Sequence, residues 1–327
     1  MKQLNVLYQA NDKYAPYAGV SILSLLQNNK DFDEITVYLL DDNISKENIE
    51  KIDATIKEYE RKLVIMNTEP VYELLDKAGA PKFRDSYTTY YKLFVLNQLP
   101  EDMERILYID CDAIVCGNLY DLENYDFGGK AFAMAISIYH NGYRKLVGFK
   151  EDDIAYNAGI MYFDLKAWRE KKCTQRLIEG TKNYQMLKFA PDQTLSILVL
   201  RDDLTSIDLK YNFNTIYSLH SQKDIYKIYE SADAMYYSQE DIDKAFNDVR
   251  IYHFITLQVG KPWEKGNIHP QRALWDKYFY QSKWKDMKDI KVERSFVEKV
   301  QRILYKYFPS TVYIWAHKFA WKHFAKH

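Results

Sequence analysis

The sequence predicts an α/β fold with a mostly parallel central sheet flanked by helices, and a helical tail at its C-terminal end. Three observations carry this expectation. Short β-favouring apolar runs alternate with amphipathic helical segments through the first hundred residues, the pattern of parallel strands joined by crossover helices. One such run, residues 105–109, leads directly into two carboxylates, Asp110 and Asp112. They would sit at the C-terminal strand edge, where open α/β sheets bind their ligands. Residues 299–327 are aromatic and basic, unlike everything before them.

Taken in order, residues 5–8 read as the first strand and residues 17–27 as a helix, with Val20, Leu23, Ser24 and Gln27 at helical spacing. Residues 34–40 form a second strand. Residues 45–59 follow as a helix that Ser45 caps, with Ile49, Ile52 and Ile56 on one face. Residues 63–66 make a third short strand and 88–98 a helix. Beyond the Asp pair, 131–135 and 158–163 read as buried strands, and 174–186 and 192–199 as helices. Between about 218 and 248 the chain is polar, Tyr-rich and weakly periodic, which predicts loops and short helices.

The 327 residues suffice for one large domain with a tail, here divided as 1–280 and 281–327, since no Pro/Gly/Ser-rich hinge and no repeat interrupts the chain. An apolar content of 47% with 28% charged residues excludes a disordered chain. Cys111, Cys116 and Cys173 make neither a paired framework nor a zinc spacing, so a reduced cytoplasmic setting is expected. A strand begins almost at once, leaving no room for a secretory segment, and no run approaches a spanning helix. The net charge of −1 conceals a tail of Lys299, Arg302, Lys306, Lys318, Lys322 and Lys326 without a single acid. No basic stripe lies outside that tail, which argues against a nucleic-acid partner.

In an extended chain Asp110 and Asp112 project to one side while Cys111 points to the other. Two hard oxygen donors side by side suit Mn²⁺ or Mg²⁺, with positions left open for nucleotide phosphates. The dyad alone is short enough to recur by chance. Its position at the end of an apolar strand gives it weight.

Further segments stand in a particular order around it: Asn11-Asp-Lys-Tyr14, Thr89-Tyr-Tyr-Lys-Leu93, Tyr156-Asn-Ala-Gly159, Pro191-Asp-Gln193, and Tyr252-His-Phe with Gly260-Lys-Pro-Trp263. In this order the chain resembles glycosyltransferase family 8 over roughly residues 3 to 280. These are retaining nucleotide-sugar transferases that include bacterial lipopolysaccharide galactosyl- and glucosyltransferases and glycogenin. The resemblance implies a GT-A type fold, a UDP-galactose or UDP-glucose donor, and Mn²⁺ held by Asp110, Asp112 and His253, with Asp110 also near the ribose. It places Asn11 and Asp12 at the uracil and ribose edge and Lys92 where the family commonly has a donor-clamping Arg. Lys261 would meet the diphosphate across a loop that Thr256-Leu-Gln-Val lengthens relative to the family. Asn157, Asp192 and Gln193 would surround the donor sugar, Asp192 accepting hydroxyl hydrogen bonds and Gln193 lying under the anomeric carbon. A glutamine is a poor nucleophile, so the implied mechanism is front-face rather than through a covalent intermediate.

On the acceptor side, the run Met134-Ala-Ile-Ser-Ile-Tyr-His-Asn-Gly142 lacks the Asp that family members often place there, which leaves a saccharide or a lipid-linked acceptor. After Pro309, helical spacing puts Tyr313, Ile314, Ala320, Trp321 and Phe324 on one face and Lys318, Lys322 and Lys326 opposite, with Trp315 and Phe319 out of register. That composition suits an interfacial helix on anionic lipid, a docked helix or an oligomer contact; oligomeric state is not legible. The expected role is surface-polysaccharide synthesis, in the cytoplasm and peripheral to the inner face of the membrane. Two other readings are a haloacid dehalogenase-type phosphatase, which also uses a strand ending in Asp-x-Asp, and a binding protein with a decayed transferase domain.

Overall fold

The computed structural model describes residues 2–150, 153–183, 187, 189–230 and 236–324, the side chains of 321–324 apart. A seven-stranded sheet runs through the molecule in the order β3-β2-β1-β4-β7-β6-β8. Its strands are β1 (Gln3–Asn11), β2 (Glu34–Asp42), β3 (Lys62–Asn67), β4 (Arg105–Ile109), β6 (Phe132–Ile136), β7 (Tyr156–Asp164) and β8 (Leu204–Ser206). Strands β3, β2, β1 and β4 pair in parallel, and β6 with β8 likewise. Among these described strands β7 runs against both its neighbours, β4 and β6. The expectation of a mostly parallel sheet is met, with this reversed strand at its middle.

Both faces of the sheet are covered, as its continuous apolar strands require. Val6, Tyr8, Leu107 and Ile109 enter one core with Trp263 and Trp275. Their alternates Leu7, Ile106 and Tyr108 enter a second core with Phe132, Phe163 and Trp168. The first helix, Ala15–Asn28, is buried along nearly its whole length. The second, Lys46–Lys57, is capped by Ser45 Oγ, which accepts from Asn48 N.

A second, three-stranded sheet was not foreseen from the sequence. It orders β5 (Ala113–Val115), β10 (Ile251–His253) and β9 (Phe213–Asn214), with β10 antiparallel to β5 and parallel to β9. This sheet positions the site, because it carries His253 opposite the residue that follows Asp112.

Three expectations need adjustment. Residues 88–98 are not one helix but a 3-10 turn, a single α turn at Tyr91–Phe94 and another 3-10 turn. The helix expected over 174–186 spans Cys173–Gly180, and residues 184–186 lie outside the described residues. The polar 218–248 region does form short helices, Gln222–Tyr229 and Gln239–Asn247, the latter closed by a Ser238/Asp241 capping box.

Residues 281–295 remain attached to the core: Trp284 is buried, and a Cβ on Gly19 would overlap its ring. Two tail helices follow, Phe296–Tyr307 and Ser310–Phe324, separated at Pro309. Among the described residues, no helix is long and apolar enough to cross a membrane.

Candidate active site

Strand β4 ends at Ile109, and Asp110-Cys-Asp112 occupies a turn closed by Ala113 N donating to Asp110 O at 3.1 Å. The two carboxylates therefore converge through a turn and not through strand pleating, a correction to the sequence reading. Cys111 does point away, its Sγ donating to Gln9 O at 2.9 Å. Strand β10 brings His253 Nε2 to 3.2 Å from Asp112 Oδ1 and 3.7 Å from Asp110 Oδ2. One donor atom from each of the three residues lies within 4.8 Å of the others. Two carboxylate oxygens and an imidazole nitrogen at this separation fit a divalent cation such as Mn²⁺.

The imidazole is held in place. Its Nδ1 lies 3.1 Å from Asn212 Oδ1, and Asn212 Nδ2 donates to Asn157 Oδ1 at 2.9 Å. Because that second bond fixes which end of the Asn212 amide faces His253, Nδ1 carries a proton and Nε2 is the nitrogen turned towards the carboxylates. Gly159 leaves room for the ring: a Cβ there would overlap His253 Cε1. Sequence reasoning had no signal for Asn212, a single amide in an irregular stretch.

A cleft of about 320 Å³ opens on this cluster, lined by Asn11, Lys92, Asp110, Asp112, Asp192 and Lys261 among others. Lys261 bonds Asp112 directly. The longer loop before it still delivers the ammonium, helped by Gly260, whose φ of +74° suits glycine and whose Cβ would meet Glu264 Oε2 at 2.6 Å. From the tail side, Arg294 pairs with Glu264 and Arg302 donates to Gly266 O, fastening the far end of that loop.

Lys92 is buried, with Nζ 2.7 Å from Asp192 Oδ2 and 3.7 Å from Asp110 Oδ1, and it donates to Ala158 O at 3.1 Å. Burial acts to lower its pKa, but Asp110 and Asp192 outweigh that and raise it, so it is a fixed positive charge. Burial likewise opposes ionisation of Asp112, yet Lys261 and His253 hold its carboxyl well below the usual carboxylate range. The Asp110 carboxyl is shifted upward, by burial first and by neighbouring Asp112, against the pull of Lys92 and His253. Tyr108 Oη donates to Asp110 Oδ1 at 2.5 Å.

Not every residue singled out in the sequence faces the cleft. The Asp12 carboxylate accepts from Ser45 N and Asn48 Nδ2, both at 2.8 Å, and so braces the second helix. Asn157 stands behind the cluster in the Asn212 relay. Gln193 Oε1 accepts from Ala158 N at 2.8 Å, and its Nε2 donates to Tyr139 Oη. Gln9, Thr88 and Tyr108 line the cleft without having been anticipated, beside Tyr14 of the Asn11–Tyr14 segment.

With this geometry described, comparison with known proteins settles the family. The model of glycosyl transferase family 8 matches residues 5–266. The chain belongs to this family. Its relatives include a lipopolysaccharide 1,2-glucosyltransferase of Escherichia coli, 23% identical over 311 residues that cover 92% of this chain and 86% of the relative. General stress protein A of Bacillus subtilis is 24% identical over 288 residues, 86% of this chain and 94% of that protein. Among solved structures, the galactosyltransferase LgtC, crystallised with donor and acceptor sugar analogues, superposes with a TM-score of 0.68 at 21% identity, over 86% of this chain and 96% of that one. The fold is thus of GT-A type, with a helical C-terminal region. Membership of a glycosyltransferase family displaces the phosphatase reading.

Proposed function

We propose that this member of family 8 is a metal-dependent retaining hexosyltransferase that moves galactose or glucose from a UDP-sugar to a saccharide or lipid-linked acceptor in surface-polysaccharide synthesis. One observation carries the reading: Asp110, Asp112 and His253 converge on one point at the mouth of a cleft whose other wall holds the buried Lys92–Asp192 pair. Asp110, Asp112 and His253 would hold Mn²⁺ or Mg²⁺. When bound, such an ion supplies Lewis-acid stabilisation of the diphosphate of departing UDP.

The chain's own residues supply the rest. Lys261 is a point charge beside the cluster, placed so that its ammonium would meet the same phosphates. Lys92 holds Asp192 in place, so that Asp192 can accept from sugar hydroxyls at the cleft wall. Asn11, at the end of β1, lines the same cleft and would meet the nucleoside edge of the donor. Asp192 is tied to a cation, which blunts it as a nucleophile, and Gln193, outside the cleft lining, has an amide already bonded to Ala158 and Tyr139. These features support front-face transfer, with the acceptor hydroxyl entering on the side that UDP leaves.

The tail supports a peripheral membrane location. Phe296, Val300, Ile303 and Tyr307 form an exposed stripe along one helix, and Trp315 is 69% exposed on the next, with Lys299 and Lys306 nearby in sequence. The experiment is UDP release from UDP-galactose and UDP-glucose, with Mn²⁺ and with chelator. Release that needs the metal and falls at least 100-fold in Asp110→Asn and Asp112→Asn is the expected result. Unchanged release in both variants would overturn the reading, and no UDP binding at all would favour a decayed domain.

A further inference from the structure

A second cavity, of about 240 Å³, lies between the domain and the tail. Its wall includes Tyr139, Phe189, Ile228, Leu257, Tyr313 and His317. It shares no lining residue with the active-site cleft, but two of its wall residues neighbour residues of the candidate site. Tyr139 bonds the amide of Gln193, and Leu257 belongs to the loop that delivers Lys261 to Asp112.

The chemistry of the wall is apolar and uncharged. The histidines that line it, His140, His220 and His317, all have pKa values pushed down by burial, His220 to about 4. At neutral pH they are neutral rings. His220 also stacks on Tyr313, ring centroids 5.6 Å apart, which fixes the tail against the domain at this point. The volume is smaller than that of a typical whole-ligand pocket, so the cavity suits one segment of a larger molecule.

The tail helix that closes the cavity has two faces. Tyr313 is 3% exposed and points inward, where Tyr313 and Ile314 pack with Ile228. Trp315 points outward. A molecule anchored in a bilayer beside Trp315 would reach the cavity by passing around a single helix, and its apolar part would exchange one covered surface for another.

We propose that this cavity receives the apolar segment next to the sugar of a lipid-linked acceptor, with the helix Ser310–Phe324 as its outer wall. The proposal rests on the transferase reading above and adds to it the class of acceptor.

The test uses octyl and methyl β-galactosides and β-glucosides below the micellar concentration, with the full chain. Saturation-transfer NMR reports the proximity of the octyl protons without requiring turnover, and KM is measured for the same compounds as acceptors. Expected are strong transfer to the octyl chain and a KM at least tenfold lower for octyl than for methyl glycosides. Ile228→Trp, which fills the cavity, abolishes both effects but leaves acceptor-free UDP release unchanged; the smaller change Ile228→Phe serves if that variant does not fold. Trp315→Ala, on the outer face, leaves the octyl signal in place. An octyl signal that survives filling, that vanishes in Trp315→Ala, or that is absent from the wild type overturns the proposal. An octyl signal abolished by filling, in a protein that releases no UDP from any UDP-sugar, would keep the cavity assignment and sink the transferase reading instead.

Discussion

Asn212 Oδ1 lies 3.1 Å from His253 Nδ1, and this contact aims the opposite imidazole nitrogen at Asp110 and Asp112. Removing it frees the ring to rotate and to change tautomer. Partners that orient metal-binding histidines typically account for about 10–100-fold in metal affinity. Asn212→Leu is therefore expected to raise the Mn²⁺ concentration for half-maximal UDP release by that factor, while activity at saturating Mn²⁺ largely recovers. An unaltered Mn²⁺ titration would show that Asn212 does not orient the ligand.

Gly159 meets the same histidine from another direction. A methyl group there overlaps the imidazole at Cε1 and Nδ1. Either the ring or strand β7 must move, at a cost of about 1–3 kcal/mol for overpacking. Gly159→Ala should fold with a lowered Tm and lose at least 100-fold in metal-dependent activity. Circular dichroism with the Mn²⁺ titration checks both, and a normal titration would place the ring elsewhere.

Lys92 and Asp192 form a buried pair, and breaking one side strands the other charge. Lys92→Met leaves Asp192 without its cation and is expected to destabilise the fold by about 3–5 kcal/mol. In Lys92→Met/Asp192→Asn the charge stranded at Asp192 is gone, although Asp110 still lacks its Lys92 neighbour, so the double variant should be more stable than the sum of the single changes predicts. Urea unfolding of the four proteins completes the cycle. Strict additivity would mean that the two groups do not couple.

Legibility in the sequence followed the length of each signal. Strands β1, β2 and β4 could be read because each strand spans five residues or more around an apolar run. Strands β5, β9 and β10, of two or three residues, carry no period, so the second sheet that positions His253 was invisible. Asp110 and Asp112 are close neighbours and chemically marked. His253, far beyond them in the chain, was found only through the family resemblance, and Asn212 not at all. The tail was read as a helix, but its faces came out differently. Tyr313 and Ile314, expected on one face with Trp321, are buried against Ile228, while Trp315, out of register with that face, is exposed. Helical spacing finds a stripe but cannot say which surface the domain will cover; Trp321, Lys322, Phe324 and Lys326 lie outside the described side chains.

The exposed stripe makes a prediction about lipid. Phe296 and Tyr307 are 79% and 67% exposed, and with Trp315 they offer rings to an interface. The full chain should co-sediment with vesicles containing anionic lipid, and less with neutral ones. Phe296→Ser with Trp315→Ser should weaken that binding at least tenfold, because burying such side chains contributes about 1.5–3 kcal/mol each. Added salt should weaken it further if Lys299 and Lys306 take part. Equal binding by the double variant would assign the stripe to another partner.

Stability at acid pH depends on two buried histidines outside the Asp110–Asp112–His253 cluster. Burial pushes the pKa of His220 and of His269 down to about 4. Their contacts agree with neutral rings: His269 Nδ1 accepts from Gln271 N at 3.1 Å, and His220 Nε2 lies 3.1 Å from Gln258 Nε2. In the unfolded chain both would titrate near the ordinary value of about 6.5. Their folded values are depressed, so between about pH 6.5 and 4 the unfolded chain binds protons that the folded one refuses. The stability they allow is therefore fully present above pH 6.5 and drains away as pH falls towards 4, by up to about 3 kcal/mol for each histidine. Denaturant unfolding from pH 7.5 to 4.5 should show ΔG falling steeply below pH 6.5, with a shallower acid slope in His269→Gln. A wild-type curve flat between pH 6.5 and 5 would show that these rings are protonated in the folded protein.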